Sequence, residues 1–204
     1  MGRSSKRWLS EHRKDPYVKQ ARQEKFRARS AYKLQQIQEK FHLLRPGDRV
    51  VDLGAAPGGW SQVAAGIVGK EGGVVAVDLL PMEPIPGVTV LQGDLMEDRC
   101  VEAIVTQLPD SRAQVILSDM APSTSGIASV DHDRSAALAE AVLDLVPLLL
   151  APGGRVVLKI FQGRDVQTIQ QAMGRLFRSC RVFKPAASRA RSVEIYLVGL
   201  GYGP

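Results

Sequence analysis

The sequence predicts an α/β fold, a mostly parallel sheet with helices on both faces. Two observations carry the prediction. Short apolar, β-branched runs recur between residues 49 and 200, separated by stretches with helical spacing, and strands that are apolar throughout need cover on both faces. The first of these runs leads straight into "GAAPGG" at 54–59, a small-residue turn suited to carrying a strand into a helix beside a ligand. A chain of 204 residues is of a size for one hydrophobic core.

Taken in order, Asp15-Pro16 supplies an N-cap and a proline at the first helical position, predicting a basic helix to about Arg27. A second helix is expected over about 30–41, with Leu34, Ile37 and Phe41 on one face. "RPGD" at 45–48 then breaks the chain. Strands are predicted at "RVVDL" 49–53, "GVVAVDL" 73–79, "VTVLQ" 88–92, "AQVILSD" 113–119, "RVVLKIF" 155–161, "CRVFK" 180–184 and "VEIYLVGL" 193–200. Pro147, near the end of the helix before "APGG", is expected to kink or end that helix, because proline removes a hydrogen bond.

Composition excludes several classes. No apolar run approaches the ~18 residues needed to span a bilayer, and the N-terminus lacks the apolar stretch of a secretory signal. A cytoplasmic location is therefore expected. Cys100 and Cys180 are isolated, and His12, His42 and His132 are scattered without ligand spacing, so neither a disulfide framework nor a metal site is expected. Charge is more informative. Residues 1–45 hold 13 Lys/Arg and four Asp/Glu, whereas 46–204 hold 14 and 17. The chain is thus divided into a basic helical extension over 1–45 and a sheet domain over 46–204. The extension is either a solvated helical face or a surface for phosphates, and its segregation favours phosphates.

In a doubly wound sheet the ligand lies beyond the carboxyl ends of the strands. Gly54, Gly58 and Gly59 allow close approach of a ligand to the backbone after the first strand. Their spacing is not G-x-G-x-x-G, and no G-K-[ST] follows, which argues against a dinucleotide and removes the P-loop. Asp78, Asp94 and Asp119 close the second, third and fourth strands. Each alone is a common turn or capping residue. Three at successive strand ends favour an adenosine-containing ligand, and their charge suits one bearing a cation rather than a pyrophosphate. S-adenosylmethionine meets that description.

"DLGAAPGGWSQ", "DLLPM", "LQGD", "SDMAPSTSG", "LAPGG", "KIFQG" and "SRARSVEIY" together resemble the FtsJ-like family of RNA ribose 2′-O-methyltransferases over essentially the whole chain. The resemblance implies a Rossmann-like S-adenosylmethionine-dependent methyltransferase fold of seven strands, the last antiparallel. It implies S-adenosylmethionine as methyl donor, held by Gly54, Gly58, Trp60, Asp78, Asp94 and Asp119. It also implies a catalytic tetrad of Lys33, Asp119, Lys159 and Glu194, with no metal. The implied substrate is a ribose 2′-hydroxyl, of a uridine, in large-subunit (23S) ribosomal RNA, methylated late in large-subunit maturation. The alternatives are a tRNA ribose methyltransferase and an RNA-binding ribosome assembly factor that keeps a donor site without turnover. The partner is then ribosomal RNA or the large ribosomal subunit. A monomer is expected, since no exposed apolar helix asks for a partner.

Read without the family, Lys159 is a charge inside an apolar strand, expensive unless paired or snorkelling to water. Asp119 ends a central strand beside the presumed donor. Lys33 is, by itself, one more exposed base beside the Leu34/Ile37 stripe, and Glu194 a residue that opens a strand. Whether Lys159 takes the hydroxyl proton or stays charged is left open by the sequence. Trp8 and Tyr17 are candidates for base stacking or core packing. Arg27 and Arg29 are candidates for phosphate contacts, with Arg189 and Arg191 near the site.

Overall fold

Seven strands hydrogen-bond into one sheet in the computed structural model, which describes residues 15–189 and 191–203. In chain order they are β1 (Arg49–Leu53), β2 (Gly73–Asp78), β3 (Val88–Gln92), β4 (Ala113–Ser118), β5 (Leu150–Phe161), β6 (Phe177–Phe183) and β7 (Glu194–Tyr202). Across the sheet the order is β3-β2-β1-β4-β5-β7-β6. Strands β1 to β5 pair parallel, and β7 runs antiparallel between β5 and β6. The order reverses between β1 and β4, which opens a crevice at their carboxyl ends.

Alternation along the strands builds two cores. On one face, α2 (Ala31–Phe41) and α3 (Gly59–Val68) lay Leu34, Ile37, Val63 and Ala64 on Val50, Val115, Val157 and Val198. On the other, α4 (Asp98–Thr106), α5 (Ala128–Leu149) and α6 (Val166–Leu176) lay Ile104, Val142, Val146 and Met173 on Val51, Ile116, Leu158 and Leu197. The expected cover on both faces is therefore present. The basic stretch contributes to the first core directly, since Leu34 and Ile37 are fully buried. Among the described residues no helix is long and apolar enough to cross a membrane.

Three local expectations change. The first helix, α1 (Pro16–Gln23), is capped as expected, with the Asp15 carboxylate accepting from the Tyr17 amide at 3.1 Å. It stops short of Arg27. Lys25 takes a left-handed conformation and the Phe26 amide turns back to the Ala21 carbonyl at 2.8 Å, which sets the Phe26 ring edge-on to Tyr32. Strand β5 begins at Leu150, before its predicted start. Leu150 pairs with Ala113 and Arg155 with Val115, so the residues between, including Gly153 at φ +77°, bulge out of register. Helix α5 continues past Pro147 to Leu149. The proline falls in its last turn, and the Pro147 carbonyl accepts from Arg112.

The "RPGD" turn is tied to the sheet. Gly47 has φ +83°, Asp48 accepts from the Arg45 amide at 2.7 Å, and its other oxygen meets the Arg155 guanidinium at 2.8 Å. Both side chains of that ion pair are buried. Trp8 lies outside the described residues.

Candidate active site

A cavity of about 400 Å³ opens at the carboxyl ends of β1 to β4 and is lined by Gly54, Asp78, Asp94, Asp119 and Met120, with Leu138, Ala141 and Leu145 of α5 as its apolar wall. Among the described residues no Lys, Arg or His lines it. The fold thus brings together the three strand-end acids that the sequence singles out. Two of them also brace their own loops: Asp78 accepts from the amides of Ala56 and Leu80, both at 2.8 Å, and Asp94 from that of Met96 at 2.9 Å. Capping and ligand binding are compatible, because each carboxylate oxygen has a second lone pair.

The glycines are also needed by the packing around them. Gly54 and Gly58 have φ of +73° and +105°, a region L side chains avoid. A Cβ at Gly54 would lie 2.2 Å from Met120 Cγ, and one at Gly58 2.5 Å from Ile85 Cδ1. What the missing side chains admit is the protein's own packing. Gly54 lines the cavity, whereas Gly58 and Trp60 do not. Trp60 is buried in the α2/α3 core, its indole N–H donating to the Ser30 carbonyl at 2.8 Å and its ring 5.7 Å from that of Tyr196. The Trp60 side chain thus joins α3 to the start of α2.

Strand register assembles the tetrad. Antiparallel pairing sets Lys159 opposite Tyr196 and Phe161 opposite Glu194, while Ser118 pairs with Leu158, placing Asp119 beside Lys159. Lys33 descends on them from α2. Lys159 Nζ meets three oxygens: the Asp119 carbonyl at 2.6 Å, Asp119 Oδ1 at 3.1 Å and Glu194 Oε1 at 3.8 Å. Lys33 Nζ donates to Glu194 Oε2 at 2.8 Å. Both lysines are buried, so the expectation of an exposed base at Lys33 is overturned by its carboxylate partner. Burial works to push the Glu194 carboxyl up. Lys33 and Lys159, with hydrogen bonds from Lys33 and Ser192, outweigh it and hold Glu194 below the ordinary carboxylate range.

Sequence reasoning passes over Tyr196. Its hydroxyl donates to Asp119 Oδ1 at 2.7 Å, and its ring lies 5.7 Å from Lys33 Nζ. Burial first, then the charges of Asp119 and Glu194, push this phenol well above its ordinary value. The signal available was its place two residues beyond Glu194, on the same face of one strand. Asp52 is a second omission. It is buried beneath the site, one oxygen accepting from the Ser61 hydroxyl at 2.6 Å and the other without a partner. Its pKa is pushed up to about 7, by burial and then by Asp119 and Asp78, against the pull of the Ser61 hydrogen bond.

A second cavity, of about 680 Å³, lies on the far side of the tetrad and is lined by Lys33, Glu194, Arg29, Arg189, Arg191 and His132 among others. Its character is basic where the first is acidic. Asp15 organises the mouth: its carboxylate lies 3.1 Å from Arg29 Nε and 3.3 Å from Arg189 Nε, and Arg29 donates to the Ala187 carbonyl at 2.6 Å. Tyr17 packs under this group against Tyr32, with the Arg29 guanidinium over its ring. Arg27 behaves otherwise. Its guanidinium donates to the carbonyls of Pro57, Glu83 and Pro84, so it staples loops near the acidic cavity and is not placed with Arg29 for phosphates.

The loop between the cavities is held by Asp131, which accepts from the amides of Ser125 and Gly126 and from the Ser125 hydroxyl. Those hydrogen bonds hold its carboxyl below the usual range. The fold also gathers His132, Asp133 and Asp165, whose ligand-type atoms lie within 4.8 Å of one another, a grouping the scattered histidines did not suggest. Arg164 pairs with both carboxylates, and the His132 ring is occupied by the Phe161 carbonyl and Asp165. An ion-pair network accounts for these contacts.

The tetrad therefore spans the wall between the two cavities. Asp119 faces the acidic one, Lys33 and Glu194 the basic one, and Lys159 is buried between them. Residues 26–202 match the model of the FtsJ-like methyltransferase family. The chain belongs to that family. Similar curated proteins include the ribosomal RNA large subunit methyltransferase E of Azoarcus sp. (strain BH72), 50% identical over 97% of each chain. The protein of the same name from Acidithiobacillus ferrooxidans is 49% identical over 98% of this chain and 91% of its own. Among solved structures, a Plasmodium falciparum chain described as a ribosomal RNA methyltransferase superposes with a TM-score of 0.78 at 26% identity, over 87% of this chain and 98% of that one. Aeropyrum pernix fibrillarin, solved with natively bound S-adenosyl-L-methionine, shares the fold, with a TM-score of 0.57 at 14% identity over 84% and 76%.

Proposed function

We propose that this methyltransferase moves a methyl group from S-adenosylmethionine to a ribose 2′-hydroxyl of large-subunit (23S) ribosomal RNA. The observation that carries the reading is the tetrad standing between an acidic cavity without cations and a basic one. The first suits a nucleoside joined to a sulfonium and is unfit for a pyrophosphate. Asp78, Asp94 and Asp119 would hold that donor, with Gly54 shaping the wall, and Gly58 and Trp60 supporting the turn from behind. The donor supplies an activated methyl group. The relatives named for ribosomal RNA support the substrate, and we extend the reading to a uridine, to the late large subunit, to the cytoplasm and to a monomer acting without a metal.

In this reading the ribose enters from the basic side, where Arg29, Arg189 and the basic stretch 1–45 meet phosphates. A 2′-hydroxyl is displayed in the shallow minor groove of A-form RNA, so the base need not be extruded. Lys33 and Glu194 orient the hydroxyl. Lys159, directed by three acceptors, stabilises the negative charge that grows on the 2′-oxygen as its proton passes to water, and that oxygen takes the methyl group as the bond to sulfur breaks. Alignment of the two reacting centres across the wall is the larger part of the catalysis.

The test is methyl transfer from labelled donor to purified large subunits, free ribosomal RNA and tRNA. Label is expected in ribosomal RNA as an alkali-resistant 2′-O-methyl nucleotide, lost by at least 100-fold in Lys159→Ala. Label confined to tRNA would refute the substrate, and donor binding without transfer would favour an assembly factor. In the pH–rate profile, Lys159→Arg is expected to leave the rate limb in place while lowering the plateau. A limb that disappears with the lysine would mean that Lys159 takes the proton itself.

A further inference from the structure

The charge map of the sequence understates the C-terminal third. Residues 166–193 contain six Lys/Arg and no Asp/Glu, a block hidden by the acids that surround it. The fold spreads the block along one side of the molecule. Arg175 ends α6, Arg178 and Arg181 lie on β6, Lys184 follows it, and Arg189 and Arg191 lie on the loop to β7 at the basic cavity. Strand β6 is the outermost of the sheet. A groove of about 430 Å³ runs between α6 and β6, lined by Gln167, Gln170, Gln171, Ser179, Arg178 and Arg181 among others, with no carboxylate among the described residues.

The guanidinium groups of this groove are not spent on the protein's own acids. Among the described residues, Arg175, Arg178 and Arg181 have no carboxylate at ion-pair distance. Arg178 lays its aliphatic stem over Gly201, where an added Cβ would sit 3.2 Å away, and Arg181 donates only to the neighbouring Cys180 carbonyl. Lys184 donates to the Ser192 carbonyl at 2.7 Å, which fixes the top of β6 to the loop at the cavity. The cations thus form a line from the active-site mouth down the sheet's edge.

We propose that the α6/β6 groove is a second docking surface for the RNA substrate, gripping the sugar–phosphate backbone flanking the nucleotide whose ribose occupies the basic cavity. The inference rests on the substrate being RNA. Arginine heads meet phosphate oxygens, and the three glutamine amides offer both donors and acceptors to sugars and base edges. A charged edge strand has another established use, blocking sheet-to-sheet association. That use calls for charge alone and does not explain the glutamine-lined concavity.

The experiment compares wild type with the Arg178→Gln/Arg181→Gln double variant, using a large-subunit ribosomal RNA fragment and intact subunits. Salt dependence of RNA binding is measured first. Each lost phosphate contact lowers the slope of log K against log salt by about 0.7–0.9, so the pair should lower it by about 1.5. KM for RNA should rise several-fold, while donor affinity, kcat at saturating RNA and the thermal transition stay at wild-type values. An unchanged slope and KM would overturn the proposal, as would self-association of the variant with RNA binding intact. Weaker binding to intact subunits with naked RNA unaffected would also overturn it, because the groove would then face a protein. Failure of the wild type to methylate any RNA would instead reject the underlying reading of function.

Discussion

At single residues, burial and partners decide what each charge does. Asp52 holds a carboxyl at about 7 with one oxygen lacking a partner. Between the ordinary carboxylate range and about pH 7, the folded protein therefore binds a proton that the unfolded chain does not. Stability falls across that interval as pH rises, then levels off. Asp52→Asn removes this titration, so its advantage over wild type should be near zero at pH 4 and on the order of 4 kcal/mol above pH 7. Urea unfolding at pH 4, 5.5 and 7.5 checks it; a difference that does not grow with pH rejects the assignment. At the basic mouth, Arg29→Gln and Arg189→Gln should each lower the salt slope of RNA binding by about 0.7–0.9, while Arg27→Gln, which loosens two loops, should not. Lys159 and Asp119 were readable from sequence because an apolar strand and a strand end single them out. Lys33 and Tyr196 were not, since their partners sit on other elements, nor was the burial of the Trp60 ring, because a tryptophan after a glycine turn can face ligand or core equally well.

Elements were readable where pattern and chemistry agree. Every strand appears at or near its predicted place, and the Asp15-Pro16 start of α1 is where the capping residues put it. Ends depend on tertiary partners instead. Helix α1 stops where Phe26 turns in to Tyr32, and β5 starts early because a bulge absorbs the residues after Leu150. The buried Asp48–Arg155 pair is the tertiary contact that joins the turn before β1 to β5, and Arg155 Nη1 has no partner among the described residues. Removing the carboxylate leaves a buried cation uncompensated, which costs about 3–5 kcal/mol. Asp48→Ala should lose that much stability by chemical denaturation at pH 7, whereas Arg45→Ala, at an exposed side chain, should change it by under about 0.5 kcal/mol. Equal effects of the two would show that the turn, not the ion pair, matters.

Across the whole molecule, the layered sheet followed from apolar runs and helical spacing, but the reversed last strand came only through family likeness, because periodicity carries no strand direction. The partition of charge was half readable. The basic N-terminal stretch stands out in a linear count, and the acid-free stretch 166–193 does not, since only folding separates it from its acidic neighbours. The cation-free cavity at the ends of β1 to β4 bears on turnover as well as on recognition. A sulfonium that gives up its methyl group becomes a neutral thioether, so in the function proposed above the attraction that draws the fresh donor to Asp78, Asp94 and Asp119 weakens with each catalytic event. Release of the spent molecule is then favoured by the reaction itself, and the site clears for the next donor without any movement of the fold.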